Sequence, residues 1–442
     1  MPQDTLDTHQ KALTINLARN IYGTIAEIGA GQQVAAWFFR VGATSGTVAQ
    51  TVSAYDMTVS DERYGQVGRH VSKERLERML ESEFALLVSR LQEKRGGETT
   101  FFAFASTVSA QNYYGTNICH GWLGLRFQSA PGSLPNTVIL HTHMRDSTNL
   151  LQQEALGILG INVIYGAFYL RADLGAFIPA LLDDLSLERI EVDYLFVDGP
   201  TFADFESGPV NLQLLQVPLC RAILFEWGGL PVAPIDAFYK RPVVIERGGC
   251  QESLSLSKDL LSVATEELKK EVGNGKRTPI GVPEMTLSNL STAEMLATEE
   301  VLRRVARLNQ LGRHVLVSRI AEYFRLTEYL VRFQQEHIGY ALGISNLIQL
   351  FEEGFYRDVE GGALAALSAL FATRVRLYVF GMPVDQLQRS LGTLGIDLSH
   401  WEFPPSGLAD LSNVSPRSAV RHIFRYGIET GALVSATVPQ RL

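Results

Sequence analysis

At 442 residues the chain exceeds the size at which one hydrophobic core usually stops growing, so two or three domains are expected. Hydrophobic residues make up 46% and charged residues 19%, which excludes a disordered chain. A formal net charge of -8 argues against nucleic acid and membrane surfaces as partners.

The segment from Met1 to Gln10 is polar and acidic, without the basic patch and apolar run of a secretory signal. No run of about 18 apolar residues is present, so no membrane insertion is expected. The cysteines Cys119, Cys220 and Cys250 form no CxxC pair, which argues against a disulfide framework and a thiolate zinc site. A cytoplasmic protein is the simplest expectation.

In chain order, a short helix leads to the strand Thr24–Ile28, the turn Gly29-Ala30-Gly31 and a helix from Gln32 to Arg40. A small-residue stretch follows from Gly42 to Ser53. The spacing of Leu76, Met79, Leu80, Phe84, Leu87 and Leu91 predicts an amphipathic helix over Ser72–Lys94. Apolar runs then predict strands at Thr100–Ala105, Gly121–Phe127 and Thr137–His141. After Asn149 a helix leads to Leu159-Gly160, a strand over Asn162–Tyr169 and a helix over Leu174–Asp183. Further strands are read at Val192–Val197 and Arg221–Glu226, and a charged helix at Leu254–Glu271. Helices alternating with apolar strands imply α/β crossover units and mainly parallel sheets.

The stretch Gly273–Pro283 holds three glycines and two prolines and is read as a linker. The expected organisation is an N-terminal glycine-turn and helical segment (1–98), a first α/β lobe (99–272) and a helix-rich second lobe (284–442). The second lobe has strands at Val315–Val317 and Val375–Val379. Leu159-Gly160-Ile161-Asn162-Val163 and Leu311-Gly312-Arg313-His314-Val315 share a pattern, and each leads to Ala-x-aromatic-x-Arg, at 167–171 and 321–325. Two related Rossmann-like lobes from an internal duplication are one explanation, and chance is the other.

Candidate sites follow from residue types at element ends. Gly29 and Gly31 sit between a strand and a helix, where free N–H groups suit a phosphate. A nucleotide loop would need another glycine where Gln33 and Val34 stand. His141-Thr142-His143 ends a predicted strand, so both imidazoles share a face and reach toward one metal ion. This resembles the first-strand pair of amidohydrolase barrels, which add later histidines and an aspartate. Arg145, with Ser147 and Thr148, suits a phosphate-binding loop. Asp198 ends a strand, where carboxylates bind metals or sugar hydroxyls. Each also has a plainer reading as a capped turn or packing contact, as do Glu360-Gly361-Gly362, Tyr55-Asp56 and Ser60-Asp61. Gly275-Lys276 is no P-loop, because residue 270 is Lys and Arg277 replaces the needed hydroxyl. There is no GxSxG elbow. Cys119 and His120 are neighbours, but adjacency does not make a catalytic pair.

The stretches Tyr22–Gln32, Ser53–Met57, Leu151–Gly157 and Asp358–Gly362 resemble a bacterial family of uncharacterised proteins, over most of the chain. Its members carry the labels nicotinate-nucleotide adenylyltransferase and TonB-dependent receptor. The first label implies an HxGH motif near the start of the fold, and His141-Thr142-His143 is not that motif. The second implies a secreted barrel, at odds with this chain's helices and N-terminus. The resemblance therefore transfers no catalytic residue.

Two function classes follow. In the first, an enzyme or sensor binds a nucleotide or phosphorylated metabolite: Gly29 and Gly31 approach phosphate, Arg145 neutralises it, and Asp198 holds a ribose hydroxyl or a divalent metal, with His141 and His143 beside them. In the second, the chain is a scaffold that self-assembles into a homo-oligomer or filament through pseudo-symmetric faces, without catalysis.

Overall fold

The α/β alternation read from the sequence produces two sheet lobes in the computed structural model. The structure describes residues 6–247, 254–273, 277–287, 298–334, 336–372 and 374–438, so Cys250 and Gly275-Lys276 lie outside the described residues. The chain divides into two units, Met1–Ile223 and Leu224–Leu442. No helix among the described residues is long and apolar enough to cross a membrane.

In the first unit, α1 (Thr8–Leu17) precedes β1 (Ile21–Ile28), α2 (Gln33–Val41), β2 (Val48–Val52), α3 (Met57–Tyr64) and the long α4 (Lys73–Arg95). Then come β3 (Thr100–Ser109), β4 (His120–Gln128), β5 (Pro135–Met144), α5 (Asn149–Tyr169), α6 (Leu174–Ala180), β6 (Ile190–Asp198) and α7 (Ser207–Gln216). The sheet order is β2-β1-β3-β4-β5-β6. β1 runs parallel to β2 and β3, whereas β3 to β6 pair antiparallel. Both faces are covered, which is why β3 to β5 read as unbroken apolar runs rather than alternating ones. On one face α4 sets Leu76 and Leu80 against Gly124 of β4; on the other α5 lies against Phe104 and Phe127.

The strand expected over Asn162–Tyr169 is instead the second half of α5. A run of apolar residues buried on all sides loses the amphipathic stripe, and its period then fails to separate strand from helix. Gly160, read as the end of the helix, is a contact point, as is Gly157: a Cβ on Gly157 would meet Gln33 Cβ at 2.7 Å, and one on Gly160 would meet Val34 Cγ2 at 2.3 Å. They let α2 and α5 approach closely. The matching segment behaves differently: Gly312, at φ +68°, turns the chain into β11 (Val315–Ser318). The two segments paired in the duplication argument therefore do not share a structure.

The second unit opens with β7 (Ala222–Phe225), in which the division between units falls, β8 (Pro231–Val232), α8 (Pro234–Phe238), β9 (Val243–Arg247), α9 (Leu254–Val272), β10 (Ile280–Thr286) and α10 (Thr298–Asn309). After β11 come α11 (Tyr323–Val331), β12 (His337–Gly343), α12 (Ile344–Leu350), α13 (Gly362–Leu370) and β13 (Arg374–Phe380). Two short ladders follow, β14 (Met382–Pro383) with β16 (Leu408–Ala409) and β15 (Trp401–Glu402) with β17 (Ser415–Pro416); α14 (Val384–Thr393), α15 (Arg421–Glu429) and β18 (Leu433–Ala436) complete the unit.

Its sheet runs β18-β13-β12-β9-β10-β11-β7-β8. Numbered from β9 as they appear in the chain, the six strands β11-β10-β9-β12-β13-β18 stand in the doubly wound order 3-2-1-4-5-6. The Rossmann-like order expected of both lobes is found in this unit, whereas β3 to β6 of the first unit pair antiparallel. The stretch Gly273–Pro283, read as a linker between lobes, lies within this unit: β10 begins inside it at Ile280 and pairs with β9. Pro283 is tolerated inside β10 because pairing with β11 begins only at Glu284.

A Gly160→Val substitution would drive a branched side chain into Val34. It should lower the stability of the folded chain by about 1–3 kcal/mol, read as a lower urea midpoint. An unchanged midpoint would contradict the close α2–α5 contact.

Candidate functional site

β4, β5 and β6 bring three histidines and an aspartate together inside the first unit. On β5, His141 and His143 stand two residues apart and share a face. The β4 register sets His120 opposite His143 and Trp122 opposite His141, so four rings crowd the same face. On β6 the ladder jumps between His141–Tyr194 and Thr142–Val192. Asp193 is the extra residue of this bulge. Such a bulge re-aims side chains, and here Asp193 joins the face that carries the imidazoles.

The contacts are short and buried. Asp193 Oδ1 lies 2.6 Å from His141 Nδ1, with both side chains 0% exposed. Asp193 Oδ2 lies 3.1 Å from His143 Nε2. On its far side, His141 Nε2 is 3.0 Å from His120 Nδ1. Trp122 packs on His141 at 4.9 Å between ring centres, and Tyr194 on Trp122 at 5.7 Å. The segment leading into α4 covers this face: Thr107 Oγ1, on the strand beside Trp122, donates to the His70 carbonyl at 2.7 Å. Lys73 Nζ sits 4.4 Å from the Phe196 ring. At the sheet edge the Asn211 amide bonds both the N–H and the C=O of Leu195, closing β6.

Burial alone would raise the Asp193 carboxyl, but His141 and His143 outweigh it and hold the group well below the usual carboxylate range. Burial, joined by the fields of His141, His143 and Arg69, pushes His120 down to about 2, against the pull of Asp193. At neutral pH the site therefore holds an ionised carboxylate beside a neutral imidazole. One donor atom from each of His141, His143 and Asp193 falls within 4.8 Å of the others.

The other sequence candidates do not converge on this cluster. Gly29 and Gly31 adopt φ of +101° and +72°, and a Cβ on Gly29 would sit 1.8 Å from the Val108 carbonyl oxygen. Backbone packing therefore accounts for Gly29. The donors expected to cradle phosphate are taken as well: Glu27 accepts the N–H groups of Val34 at 3.1 Å and Ala35 at 3.0 Å. A built-in carboxylate thus sits at the start of α2. Burial pushes Glu27 from 4.5 up to about 7, with the backbone donors of Ala35, Val34 and Gln33 pulling it partway back.

Gly29 lies at the same sheet end as His143, but β3 and β4 stand between β1 and β5, about 14 Å at roughly 4.8 Å per strand. Arg145, just past β5, faces Glu188 at 3.4 Å and Glu191 at 3.5 Å, so carboxylates already balance its charge. Thr148 caps α5 and Asp56 caps α3. Asp198 pairs with Thr137, at the far end of the sheet from His143. Six residues of strand separate the two levels, about 20 Å. Gly29, His141 and Asp198 therefore form no common pocket.

His120 and Asp193 were not singled out from the sequence. Asp193 carried a signal, as a lone acid inside the apolar run Val192–Val197. His120 stands two residues before Trp122 in β4, yet only the register reveals that it meets His141.

No protein-family model matches the chain, and no curated protein sequence matches it. Among solved structures, the competence-damaged protein (CinA) superfamily protein from Enterobacter cloacae is similar at 11% identity and TM-score 0.29, over 38% of this chain and 95% of that one. The competence/damage-inducible protein CihA from Agrobacterium tumefaciens is similar at 16% identity and TM-score 0.26, over 37% of this chain and 97% of that one. A competence or damage-inducible protein from Enterobacter asburiae is similar at 12% identity and TM-score 0.27, over 37% and 98%. The reading of the site rests on its own residues.

The raised Glu27 pKa gives a pH signature. The folded state holds this proton more tightly than the unfolded state does. Its contribution is complete below about pH 4.5 and is lost as pH rises through about 7. The loss should approach about 3 kcal/mol. Urea titrations of Glu27→Gln should lack this decline between those pH values; parallel curves for variant and wild type would contradict it.

Proposed function

We propose that the first unit binds a divalent transition-metal ion through His141, His143 and Asp193, and that this ion carries the protein's chemistry. The observation supporting it is the convergence of three donor atoms within 4.8 Å, all on buried side chains. Ligands each about 2.1 Å from one ion stand at most roughly 4 Å apart, so small side-chain shifts close the set. Two imidazoles and a carboxylate suit zinc or ferrous iron. Three protein ligands leave a further position, the pattern of metal centres that activate water. With His141 Nε2 engaged by His120, coordination falls to Nδ1, which would exchange its 2.6 Å contact with Asp193 Oδ1 for the ion. His120 then acts as the outer partner that fixes the His141 ring.

A second reading has its own support. Both nitrogens of His141 already have hydrogen-bond partners, as in a metal-free Asp–His–His chain that orders the sheet end.

Calorimetric titration of the chelator-treated protein with Zn2+ decides between them. The metal reading expects one equivalent bound with a Kd of micromolar or below and proton release on binding. His143→Ala and Asp193→Asn should each weaken binding by more than the roughly 10–100-fold of an outer-shell change, with circular dichroism confirming the fold. No uptake at millimolar Zn2+ would overturn the metal reading and leave the hydrogen-bonded chain.

A further inference from the structure

Trp122 is a costly choice for its position. It is 1% exposed, and its indole N–H has no acceptor among the described residues. A buried N–H normally finds a partner, because leaving one unpaired forfeits the hydration it had in the unfolded chain. A phenylalanine there would fill most of the same space without that loss. The ring sits directly opposite His141 in the β4–β5 ladder, on the face that carries the cluster. The nearest ring partners do not solve the problem: His141 is committed to Asp193 and His120.

Resting on the metal reading above, we infer that the centre is open, and that its remaining position takes an oxygen ligand that accepts the Trp122 N–H. The chemistry follows from the donor. An indole N–H needs a lone pair, which metal-bound water, a carboxylate or a substrate carbonyl oxygen supplies. A third imidazole does not, because its one free lone pair is spent on the ion. His120, the nearest additional imidazole, is held instead against His141 Nε2. The ligand class is therefore a small oxygen donor such as a carboxylate, oriented by Trp122 beside the ion.

The test uses the full chain loaded with Co2+, whose visible bands report the ligand set, titrated with acetate. Wild type should show a saturable band shift with acetate. Trp122→Phe should take up Co2+ within about threefold of the wild-type affinity, while its acetate response weakens tenfold or more. Failure to take up Co2+ would overturn the metal reading and this inference with it. Co2+ uptake with bands that ignore acetate, or an equal acetate response in Trp122→Phe, would overturn this inference alone. Trp122→Leu, a second variant without a donor, guards against a folding artefact: if Trp122→Phe loses Co2+ while Trp122→Leu binds it, the acetate comparison passes to Trp122→Leu.

Discussion

A carboxylate removed from water costs several kcal/mol unless positive charge or donors stand against it. Asp193 is such a carboxylate, and the sheet end of the first unit is arranged around it. His141 and His143 face its two oxygens, at 2.6 and 3.1 Å. The bulge that carries Asp193 breaks an otherwise regular ladder to put it there. A well-packed apolar residue would stabilise the same spot at no electrostatic cost, so stability alone does not account for the cluster. Buried, strongly perturbed groups gathered in one place support the metal reading, since such groups cluster at functional sites.

The surrounding structure isolates that site. The approach to α4 lies across the imidazole face, held by Thr107 on the His70 carbonyl. Asn211 seals the neighbouring edge. In this low-dielectric setting the ionised Asp193 attracts a cation more strongly than it would in water. The expected phosphate loop follows the opposite logic. Glu27 sets its carboxyl oxygens on the N–H groups at the start of α2, where a ligand phosphate would otherwise sit. The proposed metal site therefore lies at the β4–β6 side of the sheet and not at the glycine turn.

Much of the fold was legible, and the failures have identifiable causes. α4 announces itself through Leu76, Leu80, Phe84 and Leu87, because one of its faces stays wet. α5 hides its period because it is buried nearly all round, and Gly160 looks like a stop only when Val34 is out of view. The doubly wound order of the second unit follows from strand pairing across Gly273–Pro283, and local composition is blind to pairing. Gly281 and Pro283 lie in β10 itself, paired with β9.

The site was half legible. His141-Thr142-His143 was readable because two-residue spacing on a strand has a direct geometric meaning. Asp193 and His120 were not, since they join the pair through a bulge and a cross-strand register, and neither leaves a spacing in the sequence. Asp198 drew attention for ending the strand that carries Asp193, but the register puts it at the wrong end.

The most direct test of the central claim is anomalous diffraction at the zinc absorption edge from crystals of the intact chain grown with Zn2+. The account predicts one strong peak between His141, His143 and Asp193, with Asp193 moved off His141 Nδ1 to face the ion. An empty cluster with the 2.6 Å contact retained, or zinc bound only elsewhere, would contradict it.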